Sequence, residues 1–314
     1  MLNAHSMKRL VLLLVIGFWF SFLRAASLPE QYADFGKMIF TQLPSAPFPH
    51  PERAQGRTRN NTFYPAEKHY SDNSVAIFVP KGFHAGAKID FVVHFHGWNN
   101  HVEKVLQHYE LIKQFAASGR NAILVVPQGP YDAPDSFDGK LEDQGGFKRF
   151  MDDVMDTLRK EHVIHSESPG KIILSGHSGG YQVISSIVTM GGLSNQVKEV
   201  WLFDALYART EKFMAWHNRQ HGRMVNIFTE HGGTKGETEA LMADLKKKNT
   251  PFLFKNEAEA TPLDLKNNHL IFLFTDLEHD VVVNKRHEFR TYLETSCLAP
   301  IRSAPAYGPK WTQR

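Results

Sequence analysis

Lys171-Ile172-Ile173-Leu174-Ser175-Gly176-His177-Ser178-Gly179-Gly180 reads as an apolar strand running into a G-x-S-x-G turn, and a helical pattern follows from Tyr181 to about Met190. At a strand-turn-helix of this kind the serine backbone is sharply bent, so the positions two before and two after it must be small. Gly176 and Gly180 meet that need. Ser178 then stands proud of the sheet as a candidate nucleophile. The N–H of Gly179 opens the next helix, where its direction and the helix dipole both favour an oxyanion. A plain Gly/Ser turn is the alternative for so short a motif, and the flanking strand and helix argue against it.

Outward from this stretch, short apolar runs alternate with helical patterns, which favours an α/β fold with a mostly parallel sheet and helices on both faces. Strands are expected at 75–80, 89–95, 122–126, 197–203, 224–229 and 270–274. Helices are expected at 102–117, 147–160, 236–248 and 281–293. Ile89 to Phe95 is apolar except for Asp90 and His94, as suits a strand covered on both faces. The loop from Pro127 to Gly146, rich in Pro, Gly and Asp, leaves the end of its strand and is expected to help wall the pocket.

The chain of 314 residues is long enough for one large α/β domain or two small ones, and no linker in it is strong enough to split the domain. Lys8-Arg9, the apolar run Leu10 to Leu23 and small residues Ala25-Ala26-Ser27 have the layout of a signal peptide over 1–26. An uncleaved N-terminal anchor is the alternative. After cleavage no stable membrane span is expected, and the mature chain is expected to be secreted or periplasmic. Cleavage removes Lys8, Arg9 and Arg24 and no carboxylate, taking the formal net charge from +3 to 0. With no concentrated Lys/Arg stripe, nucleic acid is not an expected partner. Cys297 is the only cysteine, so no intrachain disulfide can form. Residues 27–71 are expected to be an extended lead-in, 72–297 the domain, and 298–314 an irregular tail. Asn60-Asn61-Thr62 fits an N-glycosylation acceptor, which matters only on a eukaryotic secretory route.

An elbow serine in mid-chain needs a base and an acid at the ends of later strands, in the order Ser, acid, His. His279, in Thr275-Asp276-Leu277-Glu278-His279-Asp280, follows the last strand and is placed to reach Ser178. Asp204, ending Val200-Trp201-Leu202-Phe203, and Glu230, ending the strand that closes at Thr229, are the two candidate acids. A second oxyanion donor is expected from Val93-His94-Phe95-His96-Gly97-Trp98, with Gly97 making the turn and Trp98 giving its N–H. His94 and His96 alternate onto one strand face, which raises a metal pair. Trp98 and Asn99 stand where an H-x-H-x-D-H pattern would need Asp and His. His96 is therefore expected to hydrogen-bond beneath the loop and His94 to be a satisfied core histidine.

His96-Gly97, Gly176 to Gly180, Asp204 and His279 together resemble the α/β-hydrolase superfamily over roughly residues 70–296. The resemblance implies an eight-stranded sheet, a Ser-acid-His triad and no metal or organic cofactor. The commoner acid position in that superfamily, after the seventh strand, favours Glu230. Phe203-Asp204-Ala205-Leu206-Tyr207, with Asp204 26 residues beyond Ser178, is instead similar to the platelet-activating-factor acetylhydrolases and pancreatic-type lipases, whose acid follows the sixth strand. Asp204 is accordingly the expected acid. The expected function is an exported serine hydrolase of small or polymeric carboxylic esters. An amidase or peptidase with the same triad is one alternative, and a non-catalytic binding protein on the same fold is another.

Overall fold

The computed structural model describes residues 27–165 and 168–302; the expected signal peptide, 1–26, and tail residues 303–314 lie outside the described residues. Eleven strands occur among the described residues: β1 Gly36–Gln42, β2 Arg57–Arg59, β3 Thr62–Tyr64, β4 Ser74–Pro80, β5 Ile89–Phe95, β6 Ile123–Pro127, β7 Pro169–His177, β8 Val197–Phe203, β9 Arg223–Thr229, β10 Leu253–Asn256 and β11 Leu270–Thr275. Nine of them form one sheet in the order β1-β4-β6-β5-β7-β8-β9-β11-β10. Within it β4 runs against both neighbours and every other pairing is parallel.

Strand alternation explains why helices cover both faces. Phe91, Val93, Ile172, Leu174, Val200 and Leu202 point to one side, where they pack with Phe147, Phe150 and Val154. Their neighbours Val92, Ile173, Trp201 and Phe203 point to the other, against Ile112, Phe115 and Phe289. A parallel sheet with both faces apolar must be covered twice. The helix Gly146–Lys160 shows the matching period: Phe147, Phe150, Met151, Val154, Met155 and Leu158 are buried. Fully burying each such side chain contributes about 1.5–3 kcal/mol.

The chain leaves β5 to one side to form β6 and returns on the other side as β7. The order reverses there, so a crevice opens beyond the carboxyl ends of β5 and β7. That crevice receives the loop after β5 and the turn after β7.

Several expectations are corrected. The sheet has nine strands rather than eight. The extra edge strand, β10, carries the short sequence Leu253-Phe254-Lys255-Asn256, whose side chains are half-buried or exposed, so no apolar run announced it. Residues 27–71 are more than an extended lead-in, because β1 enters the sheet beside β4. The expected helix 102–117 is two helices, Val102–His108 and Leu111–Ser118, broken where Glu110 takes φ +48°. The expected helix 281–293 is a 3₁₀ turn at His279–Val281 and a helix at Glu288–Glu294. The start of the tail is docked: Leu298 and Ile301 are buried, and the Ile301 N–H donates to Gly119 O at 2.7 Å. Among the described residues no helix is long and apolar enough to cross a membrane.

Candidate active site

Ser178 follows β7 at φ +52°, begins a 3₁₀ turn Ser178–Gly180, and leads into the helix Tyr181–Met190. Left-handed backbone at a non-glycine residue is strained and is held by its surroundings. Here the surroundings are tight. A Cβ on Gly176 would come 2.7 Å from Ile184 Cδ1, and one on Gly180 would come 2.8 Å from Phe95 O. The two small positions of the motif are thus set by the closeness of the helix and of β5.

The loop after β5 touches the serine directly: a Cβ on Gly97 would lie 2.6 Å from Ser178 Cβ and 3.2 Å from its Oγ. His96 fixes that loop. Its Nε2 accepts the Gly129 N–H at 3.0 Å, so its Nδ1 carries the proton and donates to Gly97 O at 2.8 Å. Burial lowers the His96 pKa to about 4, so the ring is neutral in this role. In a trans peptide the C=O and the following N–H point in opposite directions. Clamping Gly97 O therefore also sets the direction of the Trp98 N–H, which finds no acceptor among the described residues. His94 is only half satisfied: Nδ1 meets Ser175 Oγ at 2.9 Å, while the buried Nε2 has no hydrogen-bond partner among the described residues.

Asp204 leaves β8 at φ +45° and is fully buried. Its Oδ2 accepts from Thr229 Oγ1 at 2.7 Å and from His279 Nδ1 at 2.7 Å. Its Oδ1 accepts from Thr234 Oγ1 and, at 3.4 Å, from the Thr229 N–H. The chain folds over the carboxylate so closely that a Cβ on Gly232 would collide with Oδ2. Burial pushes the Asp204 pKa up, but the hydrogen bonds from His279, Thr234 and Thr229 together outweigh it and leave the carboxyl below its ordinary range. Glu230, one residue past Thr229, points away. It is exposed and pairs with Lys235 Nζ at 2.7 and 2.8 Å.

His279 opens the 3₁₀ turn after β11 and is about one-third exposed. His177, the x of the G-x-S-x-G motif, holds it in place. The Tyr109 hydroxyl donates to His177 Nδ1 at 2.9 Å, and His177 Nε2 donates to the His279 carbonyl at 2.8 Å. The two imidazole rings also pack at 4.6 Å between centroids. Burial drives the His177 pKa down to about 3, so it stays neutral beside His279. Tyr207 packs 6.5 Å from the His279 ring, donates to Gly232 O at 2.6 Å and interacts with the Ser178 side chain. No hydrogen bond joins Ser178 to His279 among the described residues. Such contacts commonly tighten only when a substrate is bound.

Thr229 and Thr234 carry no signal of their own in the sequence, and Tyr207 ends the stretch Phe203 to Tyr207 with nothing there to mark its role. The threonines belong to no motif, because they reach Asp204 from β9 and from the loop after it. His177 was legible in principle as the residue beside the candidate nucleophile, but its partners come from other elements.

No protein-family model matches the chain, and a search of curated proteins finds no match. Solved structures do match. A serine-to-alanine variant of the feruloyl esterase module from Clostridium thermocellum, complexed with sinapinate, is 12% identical with a TM-score of 0.52, over 83% of this chain and 88% of that one. A ferulic acid esterase is 11% identical with a TM-score of 0.50, over 83% of this chain and 98% of that one. Strand order, the serine turn after β7 and these likenesses lead to one conclusion: the chain has the fold of the α/β-hydrolase superfamily.

Proposed function

We propose that this chain is a serine hydrolase cleaving carboxylic esters through an acyl-enzyme, with Ser178 as nucleophile, His279 as base and Asp204 as the acid that orients it. The observation that carries the reading is the 2.7 Å contact from His279 Nδ1 to the buried Asp204 carboxylate, beside a serine held at φ +52°. A proton fixed on Nδ1 leaves Nε2 free to accept one.

His279 takes the hydroxyl proton as Ser178 Oγ adds to the acyl carbonyl. The oxyanion that forms is met by the N–H groups of Gly179 and Trp98, which need little rearrangement. Collapse expels the alcohol, protonated by the imidazolium. Water then repeats the sequence on the acyl-enzyme and releases the acid.

The structural neighbours named as feruloyl and ferulic acid esterases support esters over amides as the substrate class. Export, with a mature chain starting near Ala26 or Ser27, belongs to the same reading; mass spectrometry that found residues 1–20 on the exported protein would overturn that part of it. For the chemistry the test is Ser178→Ala, checked for folding by circular dichroism and assayed on short-chain aryl esters. Turnover is expected to vanish, and a well-purified variant retaining more than a trace would move the chemistry elsewhere.

A further inference from the structure

We propose that Arg59 is a specificity-determining residue selecting esters that carry a carboxylate near the scissile bond; this rests on the esterase reading above. The residue sits on a hairpin, β2–β3, whose turn is Asn60-Asn61 with φ +46° and +61°. Two successive left-handed residues are the signature of the tight I′ turn. The turn therefore fixes the register that sets Arg59 opposite Thr62. Arg57 and Arg59, two apart on one strand, share a face, and both reach Pro134 O at 3.5 Å.

Their fates differ. Arg57 forms an ion pair with Asp135, which also binds Arg53 Nε at 2.7 Å. Arg59 has no carboxylate partner among the described residues, and its one hydrogen bond, to Pro134 O, is at the limit of length. Its guanidinium instead lies 4.0 Å from the centre of the Trp98 ring. A guanidinium that lies over an indole offers the ring its flat face, and the in-plane N–H donors other than the one turned to Pro134 O are then open, in the forked arrangement that fits a carboxylate.

The indole connects this cation to the nucleophile. Trp98 Nε1 donates to Ser136 Oγ at 2.7 Å, and a Cβ on Gly179 would lie 2.9 Å from Trp98 Cδ1 and 2.7 Å from Ser136 Oγ. Trp98 also supplies the proposed oxyanion N–H, so Arg59 is separated from the reacting carbonyl by about one side chain. Its charge is not cancelled locally. Asp135 is already committed to Arg53 and Arg57, and no carboxylate pairs with Arg59 among the described residues. An anion bound here meets an uncompensated, prepositioned donor at the mouth of the site.

The test uses matched esters. One pair, monomethyl succinate and methyl valerate, places the carboxylate or its neutral counterpart in the acyl part; the other, O-acetylglycolate and ethyl acetate, places it in the alcohol part. The wild type is expected to favour the anionic member of one pair, and which pair it is tells the side Arg59 serves. Arg59→Gln should lower that ratio roughly 10- to 100-fold, the worth of a hydrogen bond to a charged group, chiefly through KM. Arg59→Lys should restore part of it, and added salt should erode the wild-type preference. A second readout needs no variant: free succinate or glycolate should compete with a neutral ester, more weakly as salt rises. Equal rates within both pairs and no competition would overturn the proposal, as would a ratio unchanged in Arg59→Gln. If Ser178 still reacts with a fluorophosphonate in that case, the esterase reading stands without this selectivity. If no ester is cleaved and no adduct forms, both fail together.

Discussion

Replacing Asp204 by Asn keeps the shape of the side chain and changes one oxygen to an N–H donor, and the surrounding contacts decide which oxygen position the amide nitrogen takes. Oδ2 faces the Thr229 hydroxyl and His279 Nδ1, whereas Oδ1 faces the Thr234 hydroxyl and the Thr229 backbone N–H. Hydroxyls can rotate to accept a hydrogen bond, but a backbone N–H cannot. The amide N–H₂ should therefore take the Oδ2 place, against His279. Nδ1 must then accept, the imidazole proton moves to Nε2, and the ring can no longer take a proton from Ser178. A triad imidazole left in the wrong tautomer costs about 10⁴-fold in kcat, or about 5 kcal/mol of transition-state stabilisation. The assay is steady-state hydrolysis of a short-chain aryl ester by Asp204→Asn and Glu230→Gln, each checked by thermal melting. Asp204→Asn should lose kcat on that scale with little change in KM. Glu230→Gln breaks only an exposed pair with Lys235 and should stay within about twofold, since such pairs contribute little. A large loss confined to Glu230→Gln would make Glu230, not Asp204, the acid.

His96→Ala removes the donor that holds Gly97 O, and should lower kcat by about 10²–10³-fold, the usual cost of a lost oxyanion donor, with KM nearly unchanged; a purely structural role would show instead as a lower melting temperature with normal kcat. Glu288, buried at the start of the last helix, has its pKa pushed up by burial from 4.5 to about 7. The folded chain thus keeps a proton that the unfolded chain releases near 4.5, so stability is full below that pH and falls as pH rises through about 7. Urea midpoints across this range should decline with pH in the wild type more steeply than in Glu288→Gln, and equal slopes would count against it.

Much of the sheet was legible because its strands are covered on both faces: Ile89 to Phe95 and Val197 to Phe203 stand out as apolar runs against polar surroundings. β10 was not, since an edge strand with Lys255 and Asn256 has no such run. β1 has Met38 and Ile39 buried between exposed Lys37 and Phe40, but the proline-rich stretch behind it drew the whole segment into an extended reading. The helix expected over 281–293 starts too early because Val281, Val282 and Val283 continue the apolar pattern. The chain there instead makes a turn, and Glu288 accepts the Arg286 N–H with both oxygens at 3.1 Å. At the site, Ser178 and His279 were marked by motif and by position after a strand. What the sequence could not carry were contacts made across elements: two threonines around Asp204, His177 behind His279, and a hairpin arginine over Trp98. A hairpin turn at Asn60-Asn61 was available as a signal, because paired asparagines tolerate left-handed backbone.

The proposed chemistry requires Ser178 to be an activated nucleophile. Intact-protein mass spectrometry after treatment of the folded chain with a fluorophosphonate tests it most directly, followed by peptide mapping of the adduct. A single adduct is expected, on the peptide containing Gly176 to Gly180, that is absent in Ser178→Ala and forms far more slowly in Asp204→Asn. No adduct on the folded wild type, or one on any other residue, would contradict it.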